Sequence, residues 1–348
     1  MKRIATIQDI SCVGKCSLTV ALPIISAMGI ETAILPTAVL STHTAFSGFT
    51  FRDLTDDIPG IAAHWKKENF TFDALYTGYL GSKRQISLVK SLFRDFGSSA
   101  SSSSSISGAA VSAATSANSA PSALSAQALK FVDPAICDTM PSNTHCASAQ
   151  ALKFVDPAMA DSGALYAGFT PDFAQEMASL CAEADVIVPN LTEACLMTGT
   201  PYREDYDEAF AMELLQKLAA QKRQSCSSAQ NAAAAVPASD VSPSGYIILT
   251  GAHRTDSDLG ALGYDIARDR FFSYYGERLP VKFHGTGDIF ASCTVGALAR
   301  GLSIEKAIRI AVDYTHECIR LTMKDSDHRW YGVNFESAIP YLLKLLDQ

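Results

Sequence analysis

The chain has 348 residues, 48% of them hydrophobic, and a formal net charge of −8. It can bury a large core, but it lacks the clustered Lys and Arg that a nucleic-acid or anionic-membrane surface requires, so neither partner is expected. Met1-Lys2-Arg3-Ile4 enters an apolar stretch without a signal-peptide core, and no apolar run approaches transmembrane length, which predicts a cytoplasmic protein.

In chain order, short apolar runs alternate with segments of helical period. Strands are predicted at 3–7, 32–35, 74–77, 152–155, 186–188 and 246–250, and helices at 18–28, 86–96, 173–183, 207–220, 289–299, 304–321 and 335–346. Near-continuous apolar strands suit a parallel sheet buried on both faces, so the alternation implies an α/β fold. Ligands of such sheets bind beyond the carboxyl ends of the strands, where the loops at Asp9, Tyr79, Asp156, Asn190 and Thr250 fall. Nine cysteines, an odd number lying mostly in apolar segments, are expected to be reduced core thiols.

Two biased tracts interrupt this pattern. Residues 98–147 open with a Ser/Ala run that has no apolar period, and 222–244 are rich in Ser, Ala and Asn, so both are expected as insertions in one domain spanning 1–348. Without them about 275 residues remain, enough for a single α/β domain. The first tract also contains a duplication, since 125–135 recurs letter for letter as 148–158. One sheet position cannot hold both copies, and Leu152 to Val155 of the second copy is the expected strand.

The chemistry concentrates at His284-Gly285-Thr286-Gly287-Asp288, which runs into a small-residue helix. Gly285, Thr286 and Gly287 offer backbone amides at a helix N-terminus, an anion hole, while Asp288 brings a carboxylate to the same turn. A base beside an anion hole suits phosphoryl transfer to a hydroxyl, although a simple Asp cap uses the same residues. Competing motifs fail. Val13-Gly14-Lys15-Cys16-Ser17 has Asp9 where a P-loop needs its first glycine, Gly285-Thr286-Gly287 has Phe290 where a dinucleotide fingerprint needs its third, and no Gly-x-Ser-x-Gly elbow is present.

Together with Ile4 to Asp9, Leu40 to Thr44, Leu75 to Ser82, Val155 to Asp161 and Val188 to Glu193, in that order, this motif resembles the pyridoxal (vitamin B6) kinases of the ribokinase-like superfamily. The resemblance covers about residues 1–97, 148–221 and 245–346. It implies a ribokinase-like fold, a central mostly parallel sheet flanked by helices on both faces, and ATP-dependent phosphorylation of the 5′-hydroxymethyl group of pyridoxal, pyridoxine or pyridoxamine. In that reading Asp288 is the base, and Asp9, His43, Thr44 and Tyr79 meet the substrate. Asp156, Val188, Asn190, Glu193 and Thr250 serve ATP, and Asp156, Asp161 and Glu193 serve Mg²⁺. A homodimer is implied, and a monovalent-cation requirement stays open. Asp9 stands where many of these kinases have a serine, and Thr250-Gly251 replaces a more basic pair. A hydroxymethylpyrimidine or sugar kinase of the same superfamily, or a catalytically silent B6-binding protein, are the alternatives.

Overall fold

The structure, a computed structural model, describes residues 1–97, 150–232 and 245–348. In chain order its elements are β1 (Arg3–Ser11), α1 (Leu18–Ala27), β2 (Glu31–Leu40), β3 (Phe51–Asp53), α2 (Ile58–Lys67), β4 (Ala74–Thr77), α3 (Lys83–Gly97) and β5 (Leu152–Val155). There follow β6 (Ala160–Asp161), β7 (Ala164–Leu165), α4 (Pro171–Glu183), β8 (Val186–Ile187), α5 (Leu191–Thr198) and α6 (Glu208–Ala232). The chain ends with β9 (Tyr246–Ala252), β10 (Asp258–Asp265), β11 (Arg270–Glu277), α7 (Thr286–Ala299), α8 (Ile304–Lys324) and α9 (Phe335–Leu346).

Nine strands form one sheet in the order β11-β10-β9-β8-β5-β4-β1-β2-β3, and β6-β7 is a separate hairpin. The central pairs from β9 across to β2 run parallel, whereas β9–β10, β10–β11 and β2–β3 are antiparallel. Side chains alternate across each central strand and so feed two cores. Ala5, Ile7, Leu75, Val155, Ile247 and Leu249 join a core that includes residues of α2 to α6. Ile4, Ala74, Tyr76, Phe154 and Ile248 join a second core with residues of α1, α7, α8 and α9. This is the expected α/β fold, a mostly parallel sheet with helices on both faces.

Leu152–Val155, from the second copy of the duplicated segment, lies between β4 and β8, pairing Thr77 with Val155 and Val155 with Ile187. The first copy and the insertion at 98–147 lie outside the described residues. At the second tract α6 continues to Ala232, past the loop start expected at 222, because the Ala- and Gln-containing sequence there still favours helix. The remainder of that tract, 233–244, is also outside the described residues. Cys16, Cys181, Cys195, Cys293 and Cys318 are buried free thiols, whereas Cys12 is exposed. Among the described residues no helix is long and apolar enough to cross a membrane.

Candidate active site

The parallel strands deliver their carboxyl ends to one edge of the sheet, and α7 begins beside it. Gly285 is the N-cap of α7 at φ +80°, and a Cβ there would overlap the Lys15 carbonyl oxygen. Only glycine fits that close, left-handed turn. Asp288 follows in the first turn, where its carboxylate accepts from the Ser17 amide of the 11–17 loop. Asp288 is half-buried, and its pKa is pushed up to about 8, first by burial and then by the charges of Asp156 and Asp9, against a hydrogen bond from the Ser17 amide. Beside it, the buried Cys16 thiol is raised to about 12 by burial and by Asp288.

Of the residues expected on the substrate side, Tyr79 lies near Asp9, and His43 and Thr44 lie on a loop that meets Val13 and His284. The neighbours of Asp9 in β1 mark a register shift, Gln8 pairing with Pro36 but Ile10 with Val39, and such irregularities re-aim side chains. Asp9 is 5% exposed, and burial raises its pKa although Ser17 and Ser11 hydrogen-bond to it, the Ser11 hydroxyl lying 3.4 Å from Oδ2. Tyr79 is near enough to Asp9 for that charge, after burial, to raise its phenol. Its ring also lies 5.5 Å from Phe169, which stacks on Phe173 at 4.0 Å. The His43 amide donates to the Val13 carbonyl at 2.8 Å, and its ring lies 5.1 Å from that of His284, next to Gly285. His43 Nδ1 accepts from the Ala45 amide at 3.1 Å, and burial followed by His284 lowers its pKa, so the neutral ring carries its proton on Nε2. Thr44 is exposed on the same loop.

On the nucleotide side, Asp156 directly follows β5 and is 8% exposed, with Oδ1 accepting from the Ala158 amide at 3.3 Å. Glu193 is 2% exposed in the first turn of α5, where it completes a capping box with Asn190. Its Oε2 accepts from the Asn190 amide and its Oε1 from the Met159 amide, each at 2.9 Å. Burial raises both carboxyls, and the charge of Glu193 raises Asp156 further. The Asn190 side chain donates to the Ala160 carbonyl at 2.8 Å, and Asn190 bridges to Thr250, whose amide donates to the Pro189 carbonyl at 2.9 Å. Val188 is buried in the second core, so its side chain is structural. Asp161 is exposed at the β6–β7 turn, where it accepts from the Ser162 amide at 2.7 Å.

The geometry therefore gathers Asp9, Asp156 and Asp288 into one acidic cluster, with Tyr79 on the Asp9 side and Glu193 behind Asp156. Among the described residues no three His, Cys, Asp or Glu side chains form a ready-made metal cage. The interacting like charges of Asp156 and Asp288 still fit a hard divalent cation, because Mg²⁺ typically takes one or two carboxylates and completes its shell with water and phosphate. Sequence reasoning missed Ser11, Cys16 and Ser17. Their spacing from Asp9 gives no motif, and only the fold of the 11–17 loop brings them to the two aspartates.

Residues 145–330 match the phosphomethylpyrimidine kinase family. The chain belongs to that family. Similar proteins show how far the likeness runs. A Bacteroides thetaiotaomicron protein provisionally named a phosphomethylpyrimidine kinase is 31% identical at a TM-score of 0.73, with 98% of this chain and 93% of that one covered, and it has also been crystallised with pyridoxal. Pyridoxal kinase from Lactobacillus plantarum is 26% identical at a TM-score of 0.72, with 99% and 98% covered. A Haemophilus influenzae hydroxymethylpyrimidine/phosphomethylpyrimidine kinase is 28% identical over 134 residues, and that match spans 38% of this chain and 41% of the relative.

Proposed function

We propose that this chain is an ATP- and Mg²⁺-dependent kinase that phosphorylates the 5′-hydroxymethyl group of a B6 vitamer, pyridoxal, pyridoxine or pyridoxamine. The observation that carries this reading is Asp288, a carboxylate in the first turn of α7 beside the glycine-built N-terminus of that helix and close to the charges of Asp156 and Asp9. As the substrate oxygen attacks the γ-phosphorus and the bond to the ADP oxygen breaks, the hydroxyl proton passes to Asp288. The free amides of the first turn, with Gly285, Thr286 and Gly287, receive the charge on the phosphoryl oxygens. A base whose pKa lies near the working pH is well matched to that transfer.

Asp9 and Tyr79 form the wall that meets the heterocycle, with His43 and Thr44 on the adjoining loop. Asp156, Asn190 and Thr250 flank the nucleotide, Val188 offering only its backbone. Mg²⁺ would be held chiefly by Asp156, with Glu193 behind it and Asp161 outermost, and would neutralise phosphate charge. The cytoplasmic location and the homodimer belong to the same proposal.

Pyridoxal with the Bacteroides relative and the Lactobacillus pyridoxal kinase both support the B6 reading across nearly the whole chain. The family match and the Haemophilus relative favour a second reading, hydroxymethylpyrimidine as the acceptor, which needs the same base and anion hole. Purified protein with ATP and Mg²⁺, offered the three vitamers, hydroxymethylpyrimidine and ribose, separates them through ADP release. Preference for a vitamer is expected. Preference for the pyrimidine moves the assignment to the second reading, and turnover of none of them ends both.

A further inference from the structure

The loop between α8 and α9, residues 325–334, touches the turn after His43, Phe283 before the α7 turn, and the 11–17 loop, and the catalytic reading leaves it without a task. Its base is fixed: the Asn334 amide donates to Thr322 Oγ1 and its side chain to Asp325 Oδ2, both at 2.8 Å. From there Trp330 and Tyr331 place their rings 4.6 and 5.4 Å from Phe46. The Phe46 amide in turn donates to the His43 carbonyl at 3.0 Å, so the clamped residue and the proposed substrate-side residue share one turn. His328 meets Phe283 edge-on at 5.7 Å, just before His284 and Gly285. Gly332 packs on the 11–17 loop so closely that a Cβ there would lie 2.5 Å from that of Lys15.

Trp330 is 56% exposed, so core burial does not account for its position. We propose that Trp330, seconded by Tyr331, is a positioning residue that sets affinity for the heteroaromatic alcohol, by holding Phe46 and with it the His43–Thr44 turn closed over the acceptor pocket. The inference rests on the kinase reading above. It assigns the loop to the alcohol and not to ATP, because its ring contacts fall on Phe46, in the His43 turn, and on Phe283, next to His284.

The test uses the full chain. Trp330→Ala should raise KM for the preferred alcohol about two- to tenfold, the worth of one aromatic pair, while kcat and KM for ATP stay within about twofold. Trp330→Phe should restore most of the affinity, and the thermal midpoint should hold in both variants because the side chain is largely exposed. Amide hydrogen exchange at 43–46 should quicken in Trp330→Ala whether or not an acceptor is known. An unchanged KM for the alcohol, an equal rise in KM for ATP, or unchanged exchange overturns the proposal. A wild-type protein that turns over none of the acceptors sinks the kinase reading instead, and the exchange measurement still decides whether the clamp exists.

Discussion

Gly285 packs directly against the Lys15 carbonyl, so that the turn opening α7 and the 11–17 loop can approach only through the missing side chain. Gly285→Ala must both overlap that oxygen and hold a non-glycine residue at φ +80°, at a cost of about 1–2 kcal/mol for the backbone alone. We expect a lower thermal midpoint together with at least a tenfold loss of kcat, because the first-turn amides move with the turn. Gly287 lacks both constraints, since nothing lies within 4 Å of a Cβ built there. Gly287→Ala should fold as well as the parent. Comparable melting curves for the two variants would show that the close approach is not what fixes the turn.

Asp288 is raised to about 8 by burial and by its acidic neighbours, and it must be ionised to accept a proton. In the free enzyme, kcat/KM should therefore fall as the pH drops through about 8 and level off above it. Asp288→Asn should lower kcat by roughly 10²–10⁴-fold, the usual contribution of a positioned base. The stability sign runs the opposite way. A carboxyl whose folded pKa is raised lowers stability progressively as pH climbs from its ordinary value of 3.8 to about 8, with the full loss in place above that, so Asp288→Asn should melt higher than the parent at pH 9. A kcat/KM flat from pH 6 to 9, or a midpoint at pH 9 no higher than the parent's, would remove Asp288 from this role.

Glu193 separates two duties that the sequence alone could not rank. Both of its oxygens already accept backbone amides, so Glu193→Gln puts a donor where an acceptor is needed and should cost about 1–3 kcal/mol of stability. We expect that loss in chemical denaturation, with a smaller change in the Mg²⁺ titration than Asp156→Asn produces. If Glu193→Gln shifts the Mg²⁺ requirement as far as Asp156→Asn without destabilising the protein, Glu193 is a metal ligand before it is a cap.

How much was legible follows from where each signal resides. β4 and β5 fall on their predicted residues because each is one short, mainly apolar run, and α9 because Phe335, Ala338, Leu342 and Leu345 recur every three to four residues; Gly285 to Asp288 was readable because its residues are contiguous in the chain. α5 was not predicted, yet Asn190 and Glu193, three apart, carried a capping-box signature in plain sequence. β10 and β11 were missed because their glycines, exposed positions and polar ends, as in Asp258-Leu259-Gly260 and Arg270, break the apolar run that marked the central strands. Asp9 and Asp156 could be placed at one end of the sheet from the strand order, and Asp288 beside them by resemblance, but the clamp of Trp330 on Phe46 joins residues more than a hundred positions apart that no local pattern links.

The duplicated segment gives the sharpest contrast between two identical stretches of sequence. Leu152–Val155 pairs with β4 on one side and β8 on the other, and this delivers Asp156 to the acidic cluster beside Asp288. Asp156→Ala should therefore raise KM for MgATP and lower kcat, whereas Asp133→Ala should leave both within about twofold, as for a substitution away from packed or catalytic groups. Deleting 98–147 should likewise leave a folded, active enzyme, because a shorter connection between α3 and β5 lowers the closure cost. The reverse pattern, an inactive Asp133→Ala beside an unaffected Asp156→Ala, would mean that the first copy holds the strand position in solution.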